Sequence, residues 1–163
     1  MAVSKAENDV VLEVEDLRTY FQTRHGTVKA VDGVSFQLRR GEILGIVGES
    51  GSGKTVTMLS LMRLIQTPPG RILSGKIILD GEDLLGLSEG AMTRVRGNKI
   101  ALILQDPLNS LNPVLTIGDQ VAESIRIHQR PQRASILGKV LDVLRRVNIP
   151  AVETRVRDFP HQM

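Results

Sequence analysis

Eight consecutive residues, Gly48-Glu49-Ser50-Gly51-Ser52-Gly53-Lys54-Thr55, have the types and spacing needed to grip a phosphate. They fit G-x-x-x-x-G-K-[ST], the pattern of loops that wrap the phosphates of ATP or GTP. Gly48, Gly51 and Gly53 have no Cβ, so the backbone can turn through positive φ and approach an anion closely. Successive N–H groups then point inward as an anion nest. A helix is expected from about Lys54, adding the unpaired donors and positive end of its N-terminus. Lys54 would reach the β- and γ-phosphates, and the Thr55 hydroxyl would ligate Mg²⁺.

Such a loop needs a strand before it and a helix after it. Glu42-Ile43-Leu44-Gly45-Ile46-Val47 is a short apolar run that reads as a buried parallel strand. Val56, Met58, Leu59, Leu61, Met62, Leu64 and Ile65 predict a mostly buried helix, ended by Pro68-Pro69-Gly70. Upstream, Val10–Val14 reads as a first strand after a polar tail, with Tyr20 and Phe21 following it. Val34, Phe36 and Leu38 alternate with polar residues, as in a strand with one wet face. Residues 75–79 predict another strand, closed by Asp80-Gly81, and Ser88 a cap for a helix through Val95. The apolar run Ile100–Leu104 predicts a second buried strand. Beyond Pro113 the pattern turns helical. Thr116 with Asp119 forms a cap, and Ile117, Val121 and Ile125 share one face. A further helix carries Leu137, Val140, Leu141, Leu144 and Val147 and ends at Pro150.

Composition excludes several classes. The 163 residues are 41% hydrophobic and 24% charged, ordinary for a soluble globular chain with a sizeable core. With no cysteine, neither a disulfide framework nor a cysteine metal site is possible. A net charge of +3 is too small to argue for nucleic acid. No apolar run approaches the ~20 residues that cross a bilayer, and the polar N-terminus is unlike a secretory signal. The expectation is a cytosolic chain.

A second string, Leu104-Gln105-Asp106-Pro107 followed by Ser110-Leu111-Asn112-Pro113, stands about 50 residues past the glycine loop. With Gly-Glu-Ser-Gly-Ser-Gly-Lys and the closing Asp158-Phe159-Pro160-His161-Gln162, it resembles the ATP-binding subunits of ABC transporters. The nearest likeness is to the oligopeptide, dipeptide and nickel importer branch. The resemblance runs from Val11 to Met163, with Leu104 where many relatives have Phe and Met163 where Leu is more usual. It implies an α/β fold: a P-loop NTPase core with an antiparallel β-subdomain over residues 1–115, and an incomplete helical subdomain over 116–163. Gln105 is implied to bind Mg²⁺ or the attacking water and to sense the γ-phosphate. An aromatic near the end of the first strand is implied to stack on adenine, Phe21 ahead of Tyr20. The segment from Pro107 to about Arg130 would face transmembrane permease subunits. Arg126, Arg130, Arg133, Arg145 and Arg146 would lie near lipid headgroups.

The family also needs a Leu-Ser-Gly-Gly signature, an apolar strand ending in Asp-Glu, and a switch histidine. None is found in these residues, so the resemblance implies the first half of an ATPase subunit that binds nucleotide with almost no turnover. The isolated half is expected to be aggregation-prone through exposed sheet edges. The implied partners are the permease and a second ATPase subunit, identical or related, at the cytoplasmic face of the membrane, with no nucleic acid. Two alternatives stand beside this: a P-loop kinase or GTPase, which lacks an Asn-Lys-x-Asp guanine reader here, and a non-transport ABC protein.

Overall fold

The computed structural model describes residues 9–104, 110–129 and 135–163. The chain divides into two compact units, Met1–Met92 and Thr93–Met163. In the first, an antiparallel sheet has the order β2-β1-β3-β4. Its strands are β1 (Val10–Thr23), β2 (Gly26–Arg39), β3 (Gly70–Leu79) and β4 (Glu82–Asp83). β1 runs nine residues beyond the expected Val10–Val14, because a tight hairpin carries pairing to its tip. Thr23 closes that tip: its hydroxyl donates to the Gly26 carbonyl at 2.7 Å and accepts from the His25 N–H at 3.2 Å. Leu12 opposite Leu79 and Val14 opposite Ile77 bury the face that forms the core.

Two irregularities bend this sheet. Asp16 takes φ 43° where β1 slips register against both neighbours, and the Ser35 hydroxyl accepts its N–H at 2.8 Å. Aspartate tolerates this left-handed backbone better than most residues. Farther along, Thr19 pairs with Val31 but Tyr20 pairs with Lys29. Ala30 is therefore an extra residue in β2, a β-bulge.

Helix α1 (Lys54–Leu61) starts where expected and stops earlier than the prolines predict. Arg63 adopts φ 51°, and the N–H groups of Arg63 and Leu64 return to the Ser60 and Leu59 carbonyls at 3.0 and 2.8 Å. This is a Schellman ending with arginine at the usual glycine position. The Arg63 side chain donates to the Leu84 and Leu87 carbonyls at 3.0 and 2.6 Å. Helix α2 (Glu89–Val95) starts at the expected cap, the Ser88 hydroxyl accepting from the Ala91 N–H at 3.3 Å.

The two expected buried strands do not form. Residues 42–47 belong to no strand, and Ile43 and Val47 are 96% and 93% exposed. Residues 101–104 are also unpaired; Ile100 makes only an isolated bridge to Arg96, and Ile103 is 94% exposed. A parallel strand requires neighbours on its edges and cover on both faces. Among the described residues no strand pairs with either run.

The second unit is helical, with α3 (Ile117–Gln129), α4 (Ile136–Arg146) and α5 (Val152–Arg155). Thr116 and Asp119 form the expected cap: the Asp119 N–H donates to the Thr116 hydroxyl, which donates back to the Asp119 carboxylate at 2.7 Å. Ile117, Ala122, Ile125, Ile136, Val140, Leu144, Val152 and Val156 make one core. The buried face of α4 is Ile136, Val140 and Leu144, so Leu137 and Val147, expected in the core, are exposed. No helix among the described residues is long and apolar enough to cross a membrane.

Two glycines in these helices predict opposite responses. A Cβ on Gly118 would lie 2.6 Å from the Val156 carbonyl oxygen, whereas one on Gly138 would meet open space. Gly138→Ala should raise stability by about 0.5–1 kcal/mol through helix propensity. Gly118→Ala should lower it by about 1–3 kcal/mol through overpacking, although it too adds a helix former. Denaturant unfolding of both variants checks the opposite signs.

Candidate functional site

The site is built where α1 begins. Its N-cap is Gly53, at φ 93°, and no side chain caps the first turn. The leading N–H groups of a helix have no partner inside it, so these donors remain available to an anion. Lys54 folds back over the loop. Its ammonium donates to the Gly48 carbonyl at 2.7 Å, the Glu49 carbonyl at 2.6 Å and the Ser52 hydroxyl at 3.3 Å. The loop therefore curls around a positive charge. Glu49, Ser50, Gly51, Ser52 and Thr55 are exposed along it, with Thr55 next to the ammonium-bearing residue. The Ser52 N–H bonds the Glu49 carbonyl at 3.2 Å and tightens the turn.

The loop rests on the bulge in β2. A Cβ at Gly53 would stand 2.2 Å from the Ala30 carbonyl oxygen and 3.9 Å from a Val31 methyl. Two backbones meet there with no room for a side chain. Thr57 secures the next turn, its hydroxyl donating to the Gly53 carbonyl at 3.0 Å.

Tyr20 and Phe21 are neighbours on β1 with different surroundings. Tyr20 donates its hydroxyl to Asp32 at 2.7 Å, and the Lys29 ammonium lies 5.5 Å from its ring centroid. Arg18 bonds the same Asp32 oxygen at 2.9 Å. The Tyr20 hydroxyl, with Lys29 and Arg18 nearby, holds the Asp32 carboxyl below its usual range. Phe21 is half-buried and pairs with Gly70, its ring edge 2.7 Å from where a Gly70 Cβ would stand.

Gln105, Asp106 and Pro107 lie outside the described residues, as do Arg130 and Arg133. The end of the same string is described. Gln120, a residue that periodicity gave no reason to single out, ties it to α3. Its amide nitrogen donates to the Asn112 and Leu115 carbonyls, each at 3.0 Å, and its oxygen accepts the Asn112 N–H at 2.9 Å. Sequence reading also missed Ala30, Thr19 and Ser60, all of which support the loop from outside the motif.

A glycine turn folded around a lysine at the mouth of an uncapped helix, beside an antiparallel sheet, defines a P-loop α/β protein. Residues 31–163 match the family model described as ABC transporter, and the chain belongs to that family. It is 47% identical over 160 residues to the "Probable peptide ABC transporter ATP-binding protein y4tR" of Sinorhizobium fredii, covering 98% of this chain and 48% of that protein. It is 45% identical over 152 residues to the "Oligopeptide transport ATP-binding protein OppD" of Bacillus subtilis, covering 93% and 42%. The chain thus spans about half the length of the curated relatives it matches. Among solved structures, the fold is similar to a dimeric post-hydrolysis state of the ATP-binding cassette MJ0796 bound to ADP and Pi. The TM-score is 0.77 at 21% identity, over 93% of this chain and 62% of that one.

Two outcomes test this construction. Gly51 and Gly53 both have positive φ, but only Gly53 has an obstacle beside it. Gly51→Ala should cost about 1–2 kcal/mol of backbone strain. Gly53→Ala should cost about 1–3 kcal/mol more, since a backbone carbonyl must move; equal costs in thermal unfolding would remove the Ala30 contact from the account. The second concerns acid. Because the folded-state pKa of Asp32 is depressed, its contribution is complete above the ordinary carboxylate value and is lost as pH falls through the lowered one. Asp32→Asn should therefore be less stable than wild type at pH 7, with the Tm difference shrinking as pH falls toward 3.

Proposed function

We propose that this chain binds the phosphate tail of ATP at residues 48–55 and is the nucleotide-binding part of the energy subunit of an importer for peptides or similar small solutes. The observation that carries the reading is the Lys54 ammonium, 2.7 and 2.6 Å from two loop carbonyls at an uncapped helix start. An arriving phosphate offers Lys54 charged acceptors in place of neutral ones, and charge-assisted hydrogen bonds are the stronger kind. The glycines suit the same ligand, because Gly51 and Gly53 hold the positive φ that curves the loop. The names of the relatives support peptides as the cargo class.

Each residue has a task in this reading. Gly48, Glu49, Ser50, Gly51, Ser52 and Gly53 supply the curved backbone, and the α1 N-terminus its donors. Lys54 stabilises charge on the transferring phosphoryl group. The Thr55 hydroxyl and Gln105 would hold Mg²⁺, which when bound would supply positive charge to the phosphate tail. The Phe21 ring would stack on the base, and Tyr20 is the second choice. In this reading the residues named here bind nucleotide, and turnover needs in addition a carboxylate that polarises water. A second ATPase subunit, identical or related, would close head to tail with this one. The segment from Pro107 to about Arg130 would meet the permease at the cytoplasmic face of the membrane.

Calorimetry with Mg·ATP is the direct test. Heat of binding should appear, and the amides of residues 48–55 should become protected from hydrogen exchange. Lys54→Ala should weaken affinity about 10–100-fold, the worth of a hydrogen bond to a charged group. Neither heat nor protection in the folded wild type would sink the proposal. Competition between ATP and GTP, and recovery with a membrane protein pair rather than nucleic acid, separate it from a GTPase and from a non-transport ABC protein.

A further inference from the structure

Thr19 and Ser60 are both fully buried, and neither belongs to the phosphate motif. Their hydroxyl oxygens are 2.8 Å apart, joining β1 to α1 across 41 residues of sequence. The direction of the bond follows from counting protons. Ser60 has one, and it goes to the Val56 carbonyl at 2.7 Å. Thr19 must therefore donate to Ser60, giving the relay Thr19 to Ser60 to Val56. No buried side-chain polar atom among the described residues lacks a partner, so this relay is a satisfied network inside an apolar setting.

Its two ends lie on elements with different tasks. Ser60 is six residues along the helix that Lys54 opens, so its position is coupled to the phosphate loop through one rigid element. Thr19 is two residues before Phe21. β1 keeps unbroken register with β3 from Thr19 opposite Ile72 to Phe21 opposite Gly70, so Thr19 and Phe21 share one sheet face. We propose that the Thr19–Ser60 hydroxyl pair is a positioning element that fixes α1 against β1 and thereby sets the separation between the phosphate loop and the Phe21 ring. This rests on the nucleotide reading of the site, and it names what determines the fit of the whole nucleotide as opposed to its phosphate tail.

Inorganic tripolyphosphate and ATP distinguish the two halves of that fit. Tripolyphosphate reports on the loop alone; ATP reports on the loop and the aromatic together. Thr19→Val keeps the shape and removes the donor. It should weaken Mg·ATP binding about fivefold, on the scale of one net hydrogen bond, and leave Mg·tripolyphosphate affinity within about twofold. Thr19→Ser keeps the hydroxyl and should retain the wild-type ratio of the two affinities. Ser60→Ala should repeat the Thr19→Val result, and it carries the comparison if Thr19→Val fails to fold. The double variant should be no worse than either single one, since both remove the same bond. Equal loss of both ligands would show a merely structural role and overturn the proposal, as would unchanged ATP affinity. Wild-type protein that binds tripolyphosphate but not ATP would overturn the positioning of Phe21 while leaving the phosphate cradle intact. Wild-type protein that binds neither would overturn the nucleotide reading, and this inference with it.

Discussion

Two backbones touch at Gly53 and Ala30, and the arrangement of the loop depends on that contact. A peptide can approach another this closely only where no Cβ intervenes. The carbonyl that Gly53 meets comes from the extra residue of a β-bulge, where regular pairing with β1 is interrupted. The contact thus needs an irregular strand on one side and a glycine on the other. From it follow the start of α1, the uncapped donors of its first turn and the path of the loop around Lys54. Among the described residues the positive charge is not held by an acid. It is held by neutral acceptors that a stronger acceptor can replace.

The motif was legible because its residues act locally. Although its seat on Ala30 is distant, the turn from Gly53 into Lys54 and the helix after it is made by adjacent residues. The same is true of the Ser88 cap, the Thr116–Asp119 cap and the β1–β2 hairpin. What the sequence concealed depends on partners far along the chain. The end of α1 was assigned to Pro68-Pro69-Gly70, but Arg63 ends it earlier, in a left-handed conformation that arginine seldom adopts. Its side chain bonds two carbonyls more than twenty residues away, and no local rule shows that. In α4, periodicity admitted two overlapping apolar faces. Packing against α3 and α5 selected Ile136, Val140 and Leu144 and left Leu137 and Val147 in water.

The apolar runs at 42–47 and 100–104 show the same division. Their composition reads as strand, but strand pairing is a property of two segments. Antiparallel neighbours can come from a two-residue turn, as β1 and β2 do, whereas parallel neighbours need a crossover of a dozen residues or more. The β1–β2 pair therefore forms from a local connection, whereas β3 pairs with β1 from far along the chain, and Ile43, Val47 and Ile103 remain exposed. Exposed β-prone apolar segments of this kind are places where chains associate.

Two different forces tie the phosphate loop to the sheet, and they differ in how they respond to change. The Gly53–Ala30 contact is steric. It leaves no room for a side chain at Gly53, so it fixes the path of the loop against β2. The Thr19–Ser60 contact is a directional bond between two small hydroxyls, each of which could be replaced by an isosteric or nearly isosteric apolar group without filling or emptying the core. Removing it costs about one hydrogen bond. The path of the loop is therefore hard to vary without moving the Ala30 carbonyl. On the proposed reading, the distance to the Phe21 ring is less constrained and shifts by small steps while the loop stays intact. If the loop holds an anion as proposed, a fold that seats it by steric contact and its second contact by a single hydrogen bond can change how well it fits the rest of the ligand independently of how it holds the charge.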